Sequence, residues 1–369
     1  MRTIPESARK SRIAVLFFIT AATIITVGAT ADPLAGTFSI VAYDSHTGEV
    51  GVAVQSCVFS VGPPVAWAHG GVGAVATQAQ TNESFGPHGL RLMAEGLSAQ
   101  AALDSLLAGD EGRENRQLAI IDRQGSAAAF TGEQCMSWAG DFQGSGFSCQ
   151  GNILASGKVL EDMVSAFTGN PDDELALRMI LALEAAQAAG GDSRGQQSAA
   201  ILIGRAHSGH PEYDTRYVDL RVEDHETPIA ELRRLYDMFE AQNLTQAHLR
   251  FADLREAEGD KPGARWERER VGKTLQRCLE REDVDAGTYN ALAWSCAIND
   301  IYLEDALKAA QRAVDLDPKD SNILDTLAEV HFRLGDAKKA VEVIERALTI
   351  SPEDAYLSGQ LLRFQKEMK

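Results

Sequence analysis

A chain of 369 residues with 44% hydrophobic and 24% charged content has room for two or three globular domains, which excludes wholesale disorder, collagen and a multi-span membrane protein. Its formal charge of -18, from 53 acids against 35 bases, repels phosphate backbones and argues against a nucleic-acid partner. Five cysteines without a CxxC pair give neither a disulfide scaffold nor a structural zinc site, so no metal and no cofactor are expected.

The N-terminus reads as an export signal. Arg2, Arg9, Lys10 and Arg12 precede an uncharged apolar run, and Ala29-Thr30-Ala31 fits a small-x-small cleavage site. The expectation is a signal peptide over 1–31, a short leader over 32–36, and a periplasmic or secreted product. Membrane contact follows only if the segment stays uncleaved, since it is nearly long enough to span a bilayer. In an oxidising compartment Cys135 and Cys149 can pair; two buried thiols are the other reading.

Residues 37–242 form the first domain. The stretches 38–43 and 49–55 are β-rich around the turn-like Asp44-Ser45-His46-Thr47-Gly48, which predicts a hairpin. A small apolar run over 71–80 predicts a buried strand. Leu90, Met93, Leu97, Ala101 and Leu106 give 89–108 a helical spacing. A second hairpin follows over 117–131, then a strand at 147–154, helices near 157–168 and 173–188, and strands at 198–205 and 217–222. A helix from 228 to 242 closes the domain. Hairpins, then helices, then strands predict an α+β fold of antiparallel sheets rather than regular βαβ units. No glycine-rich phosphate-binding motif is present.

Residues 243–369 read as helix after helix. Ala306 and Ala340, Ala313 and Ala347, and Pro318 and Pro352 are each 34 apart, while Leu292-Ala293 matches Leu327-Ala328 at 35. This period resembles the tetratricopeptide repeat, with two units over 287–354 and a degenerate helical pair over 245–281. Such arrays hold peptides or partner proteins in a concave groove. The alternative is that two units only cap or rigidify the first domain.

Chemistry, if the chain has any, belongs to the first domain. Thr37 begins the first strand after Gly36. A hydroxyl there gains a use if the residue becomes the chain terminus, because its own α-amine can then take the hydroxyl proton. Removal of 32–36 would be required, by self-cleavage or a second protease. Ser56 and Gln55 end the hairpin partner beside Thr37. Thr77, Gln78, Thr81 and Asn82 end the third strand. Gln150-Gly151-Asn152 can build an oxyanion hole from the Asn152 amide, or is a glycine bulge. Asp192, Arg194, Gln197 and Ser198 form a polar cluster in which Arg194 clamps a substrate carboxylate and Asp192 orients it, or in which the two make a loop ion pair. Cys57 and His225 read as structural, and His207 with His210 is too weak a metal signal to assign.

The segments TFSIVAYDSHTGEVGVAVQS (37–56), GVGAVATQAQTNESFGPHGL (71–90), AAAFTGEQCMSWAG (127–140), QGNILA (150–155), AGGDSRGQQSAAILIG (189–204) and DLRVEDHETPIAELRRL (219–235) resemble the family of unknown function numbered 1028. That family is similar to the N-terminal-nucleophile (Ntn) hydrolases. The resemblance implies a four-layer αββα sandwich with Thr37 at the nucleophile position, since family chains that start Met-Thr-Phe-Ser expose the threonine on losing Met. Proteasome-type enzymes, which are also cut at Gly-Thr, use a lysine beside the nucleophile. This chain has no lysine between Lys10 and Lys158. The expectation is an exported Ntn-type amidohydrolase with a small-molecule or peptide amide substrate, a protein partner on 243–369, and self-association as Ntn domains often show. A non-catalytic ligand- or protein-binding domain on the same fold, with the repeats as scaffold, is the alternative.

Overall fold

Residue alternation sets the first layers. In strand β1 (Thr37–Tyr43), Phe38, Ile40 and Ala42 enter one core and Val41 enters another. A strand whose two faces are both buried must be sandwiched. The computed structural model describes residues 36–206 and 215–367; the predicted signal peptide, nearly all of the leader, and His207 and His210 lie outside the described residues.

Strands β2 (Val50–Ser56), β7 (Gly140–Gly144), β8 (Phe147–Asn152), β9 (Ser198–Gly204) and β10 (Arg216–Val222) join β1 in a six-stranded antiparallel sheet of order β10-β9-β2-β1-β8-β7. Strands β3 (Ala66–His69), β4 (Gly73–Ala79), β5 (Arg116–Asp122) and β6 (Ala127–Thr131) form a second sheet in sequence order, entered through the short helix α1 (Gly62–Val65). Val41, Val52, Val54, Ala74, Ala76, Ala119 and Ile121 pack between the sheets. Helices α2 (Phe85–Ala94) and α3 (Ala99–Ala108) cover the second sheet through Met93, Leu103 and Leu107 on Val75, Leu118 and Ile120. Helices α4 (Lys158–Gly169) and α5 (Leu175–Ala188) cover the first through Met163, Phe167 and Ile180. The result is the expected αββα sandwich.

Several expectations are corrected. The helix expected over 89–108 is two helices. The chain reverses at Gly96, whose φ of +100° suits glycine, and the Ser98 hydroxyl caps α3 by accepting from the Ala101 amide. The edge strands β3 and β7 were not anticipated; they are short and only partly buried, so their patterns are weak. Of the two readings for Cys135 and Cys149, the unpaired one holds. Cys149 is in the core under the helices, and the Cys135 thiol donates to the Arg116 carbonyl at 3.3 Å.

The helix expected to stop at Gln242 does not stop. Helix α6 (Pro228–Phe239) continues through a π turn, Glu240–Leu244, into α7 (Thr245–Ala257). Leu244, Ala247 and Phe251 complete the core of the sandwich, while Ala241 and Leu249 enter the core of the repeats. After α8 (Lys261–Leu279) come the pairs α9 (Ala286–Ile298) with α10 (Leu303–Leu316) and α11 (Ser321–Arg333) with α12 (Ala337–Ile350), then α13 (Ala355–Glu367). Asp285, Asp320 and Asp336 cap α9, α11 and α12 by accepting first-turn amides. Ala306, Ala313, Ala340 and Ala347 are fully buried, which lets the paired helices approach closely. Among the described residues no helix is long and apolar enough to cross a membrane.

A buried ionic cluster ties α7 and α8 to the sandwich. Arg205, on the end of β9, reaches Glu49 at 3.2 Å and Glu267 at 2.6 Å, with its guanidinium 3.6 Å from the centre of the Phe251 ring. Glu267 also accepts from Arg255 at 3.1 Å and meets His248 Nδ1 at 2.7 Å. Burial opposes a charge on His248, but Glu174 and Glu267 outweigh it and push its pKa up to about 9.

Candidate functional site

The registers of four adjacent strands put one polar residue from each in a single row. Thr37 lies opposite Asn152 on one side and Ser56 on the other, and Ser56 lies opposite Ser198. All four are buried, on the face that looks toward the second sheet. The next layer inward is Ser39 opposite Gln150.

Within the row the hydroxyls are chained. Thr37 Oγ1 donates to Ser56 Oγ at 3.1 Å, and Ser56 Oγ donates to the carbonyl of Gly36 at 2.5 Å. Ser56 therefore touches both the hydroxyl and the carbonyl that flank the Gly36–Thr37 peptide bond. Ser198 looks away from this chain, accepting from the Val61 amide at 3.0 Å and donating to the Val58 carbonyl at 2.6 Å. Among the described residues no lysine, histidine or carboxylate hydrogen-bonds the Thr37 hydroxyl.

Amides of both sheets fix the row from below. Gln78 Nε2 donates to the Thr37 carbonyl at 3.2 Å and to Gln117 Oε1 at 2.8 Å. Asn152 Nδ2 donates to the same Gln117 oxygen at 2.9 Å. Gln117 Nε2 in turn serves Thr131, Gly140 and Gly151 at 2.9–3.1 Å. Ser39 donates to Gln78 Oε1 at 2.5 Å and accepts from Gln150 Nε2 at 2.6 Å. Uncharged groups that satisfy one another can stay buried at little cost and hold a rigid geometry.

A charged pair adjoins the leader side of Thr37. The Asp192 carboxylate accepts from the Arg194 amide at 3.0 Å, from its Nε at 3.1 Å and from its Nη2 at 2.9 Å. The Cys57 thiol is beside them. Burial, then the charge of Asp192, push its pKa up, with Arg194 opposing; a thiol held protonated is a poor nucleophile.

The predicted residues thus divide. Thr37, Ser56, Gln78, Gln150 and Asn152 converge between the sheets, Ser198 ends their row, and Asp192 with Arg194 borders it. Gln55 does not: it pairs with Phe38, so it points to the helical layer, where its buried amide lacks a hydrogen-bond partner among the described residues. Thr77 pairs with Leu118 and likewise faces helices, donating to the Asn82 carbonyl at 3.3 Å. Asn82 itself accepts from Ser84 at the start of α2. Gln197 turns out to Asp224 at 2.9 Å. Gln55 and Thr77 each sit one residue off the inward-facing position, which reverses a side chain in a strand, while Asn82 and Gln197 lie outside the strands. His225 Nδ1 accepts the Thr227 amide at 3.0 Å, a capping role. Gly151 does not open the backbone to a ligand, since a Cβ there would strike Leu154 at 2.6 Å.

Gln117 and Ser39 were missed. Their signal is a polar residue at an inward position beside the apolar middle of a strand, RQLAIID and TFSIVAY.

Family comparison agrees with this architecture. Residues 37–232, more than half the chain, match the model described as "Family of unknown function (DUF1028)". The chain belongs to this family. A crystal structure of a DUF1028 protein from Silicibacter pomeroyi is 33% identical, covering 56% of this chain and 86% of that one with a TM-score of 0.51. Beyond the DUF1028 region, residues 303–361 match a tetratricopeptide-repeat model. The MamA protein (18% identity, 34% of this chain, 82% of that one, TM-score 0.24) and PcrH from Pseudomonas aeruginosa (16%, 34%, 89%, 0.22) also align. No curated protein matches the chain. Tetratricopeptide arrays are protein-interaction scaffolds.

Proposed function

We propose that the chain is an exported Ntn-type amidohydrolase whose nucleophile is Thr37 after removal of the residues before it, with the repeats holding a protein partner. One observation carries this reading: Ser56 Oγ bridges the Thr37 hydroxyl at 3.1 Å and the Gly36 carbonyl at 2.5 Å. A donor already placed on the carbonyl beside the nucleophile is the arrangement that acyl transfer needs.

In the mature chain the free amine of Thr37 accepts the hydroxyl proton as Oγ1 adds to the substrate carbonyl. Ser56, and the second N–H of Asn152, steady the oxygen as it gains charge. The C–N bond breaks and the proton passes to the departing nitrogen. Water then hydrolyses the ester and restores the hydroxyl. Among the described residues no lysine hydrogen-bonds Thr37, which leaves base duty to the amine, whose ordinary pKa is about 7.7–8.0.

A binding domain without catalysis is the competing reading. It is favoured by the burial of Thr37, which is 2% exposed with Gly36 in place. The test is intact mass and N-terminal sequencing of the exported protein, with amide turnover by Thr37→Ala and Ser56→Ala chains. A Thr37 start, with activity lost in Thr37→Ala and reduced in Ser56→Ala, is expected. An Asp32 start without turnover would leave the binding reading standing.

A further inference from the structure

The acyl side of the Gly36–Thr37 bond has no room for a side chain. A Cβ added to Gly36 would lie 2.6 Å from Arg194 Nη2, and 2.6 and 2.7 Å from the two carboxylate oxygens of Asp192. Real Cβ atoms do not approach so closely. Flexible side chains can often retreat from such a contact, but the Asp192 carboxylate is held in place, and Arg194, whose side chain is 29% exposed, is bonded to it. The Asp192 side chain is fully buried. Three N–H groups of Arg194 hold its carboxylate, and its backbone bridges Leu154 at the end of β8. Separating the pair to admit a methyl group would break charge-assisted hydrogen bonds in a buried place.

The leader also marks where a substrate must sit. When Thr37 Oγ1 bonds to the Gly36 carbonyl carbon and the C–N bond breaks, with the proton going to the freed α-nitrogen, the product is an ester of glycine on Thr37. That ester is of the same chemical class as the acyl-enzyme formed from an N-acylglycyl amide. Water cleaves either one to a carboxylic acid and a free hydroxyl. The residue before Thr37 is therefore a template for the acyl group.

We infer that Asp192 and Arg194 form a steric sieve for the acyl residue, so that the substrates are N-acylglycyl amides, in which glycine supplies the attacked carbonyl. This rests on the proposed nucleophilic role of Thr37. It assigns Asp192 and Arg194 to exclusion of side chains rather than to clamping a substrate carboxylate.

The test uses the chain from Thr37 to Lys369, confirmed by mass to begin at Thr37. It compares kcat/KM for the aminomethylcoumarin amides of N-acetylglycine and N-acetyl-L-alanine. The glycyl amide is expected to be favoured by at least about tenfold, the scale at which a rigid pocket rejects one added carbon. In an Asp192→Ala/Arg194→Ala chain, with folding checked by circular dichroism, that preference is expected to shrink toward parity. Equal turnover of both amides by the parent chain would overturn the sieve and leave the hydrolase reading intact. No turnover of either, with the parent indistinguishable from Thr37→Ala, would remove the hydrolase reading and the sieve with it.

Discussion

Thr37 and Asn152 stand directly opposite each other across the β1–β8 ladder, yet the Asn152 amide donates to Gln117 on the other sheet and not to Thr37. Gln117 is thus the joint between the sheets. Its oxygen receives Gln78 and Asn152, and its nitrogen serves Thr131 and two carbonyls.

Replacing Gln117 by Leu keeps the bulk and removes every one of those bonds. One N–H each of Gln78 and Asn152 then loses its acceptor, and the carbonyls of Gly140 and Gly151 lose a donor, at about 1–3 kcal/mol each before relaxation. The expected loss of stability is about 3 kcal/mol or more, read as a fall in the denaturant midpoint. A midpoint unchanged within error would mean that the network does not support the fold.

The ionic cluster makes an alkaline prediction. The folded pKa of His248, about 9, lies above the ordinary value of 6.5. A raised pKa stabilises while the group is protonated in the fold, so the contribution is complete below pH about 6.5 and fades as pH climbs through about 9. A shift of that size corresponds to about 3 kcal/mol. Thermal midpoints between pH 6.5 and 9.5 should therefore fall more steeply for the parent than for His248→Gln. Parallel curves would place the titration elsewhere.

Cutting the chain at residue 242 should uncover the sandwich. Leu244 and Phe251 leave its core, at about 1.5–3 kcal/mol each, and Glu267 and His248 leave the cluster, so that Arg205 keeps Glu49 alone. A fragment over 36–242 is expected to bind hydrophobic dye and aggregate, whereas one over 36–281 stays folded. Equal thermal stability of the two would show that α7 and α8 are dispensable to the sandwich.

At the other end, Phe364 is fully buried with its ring 4.8 Å from that of Phe332. Phe364→Ala should cost about 3 kcal/mol or more. Faster amide exchange in α12 and α13, with the sandwich unaffected, is the signature to look for.

The repeats were legible because the 34-residue spacing of alanines and prolines repeats a physical requirement several times over. The β-rich runs around turn residues marked the first hairpin, and the four layers follow from the family resemblance. The site was less legible. Thr37, Ser56 and Asn152 stand at strand ends and share one face, whereas Gln55 and Thr77 face the helical layers. Strand ends can be located from sequence to within a residue or two, and one residue is enough to turn a side chain to the opposite face. Gln117 lies 80 residues from Thr37 and is linked to it only through Gln78, by sheet stacking that no local pattern encodes. The end of α6 was misread because a π turn carries the helix past Gln242 without a break in pattern.

That unbroken helix has a bearing on how a partner would be handled. Modules joined by a linker sample many orientations, and the second then acts mainly by raising local concentration. Here one rod is a wall of both cores, so the repeat array is a fixed handle rather than a tethered arm. Whatever it grips is presented to the sandwich at one distance and from one direction.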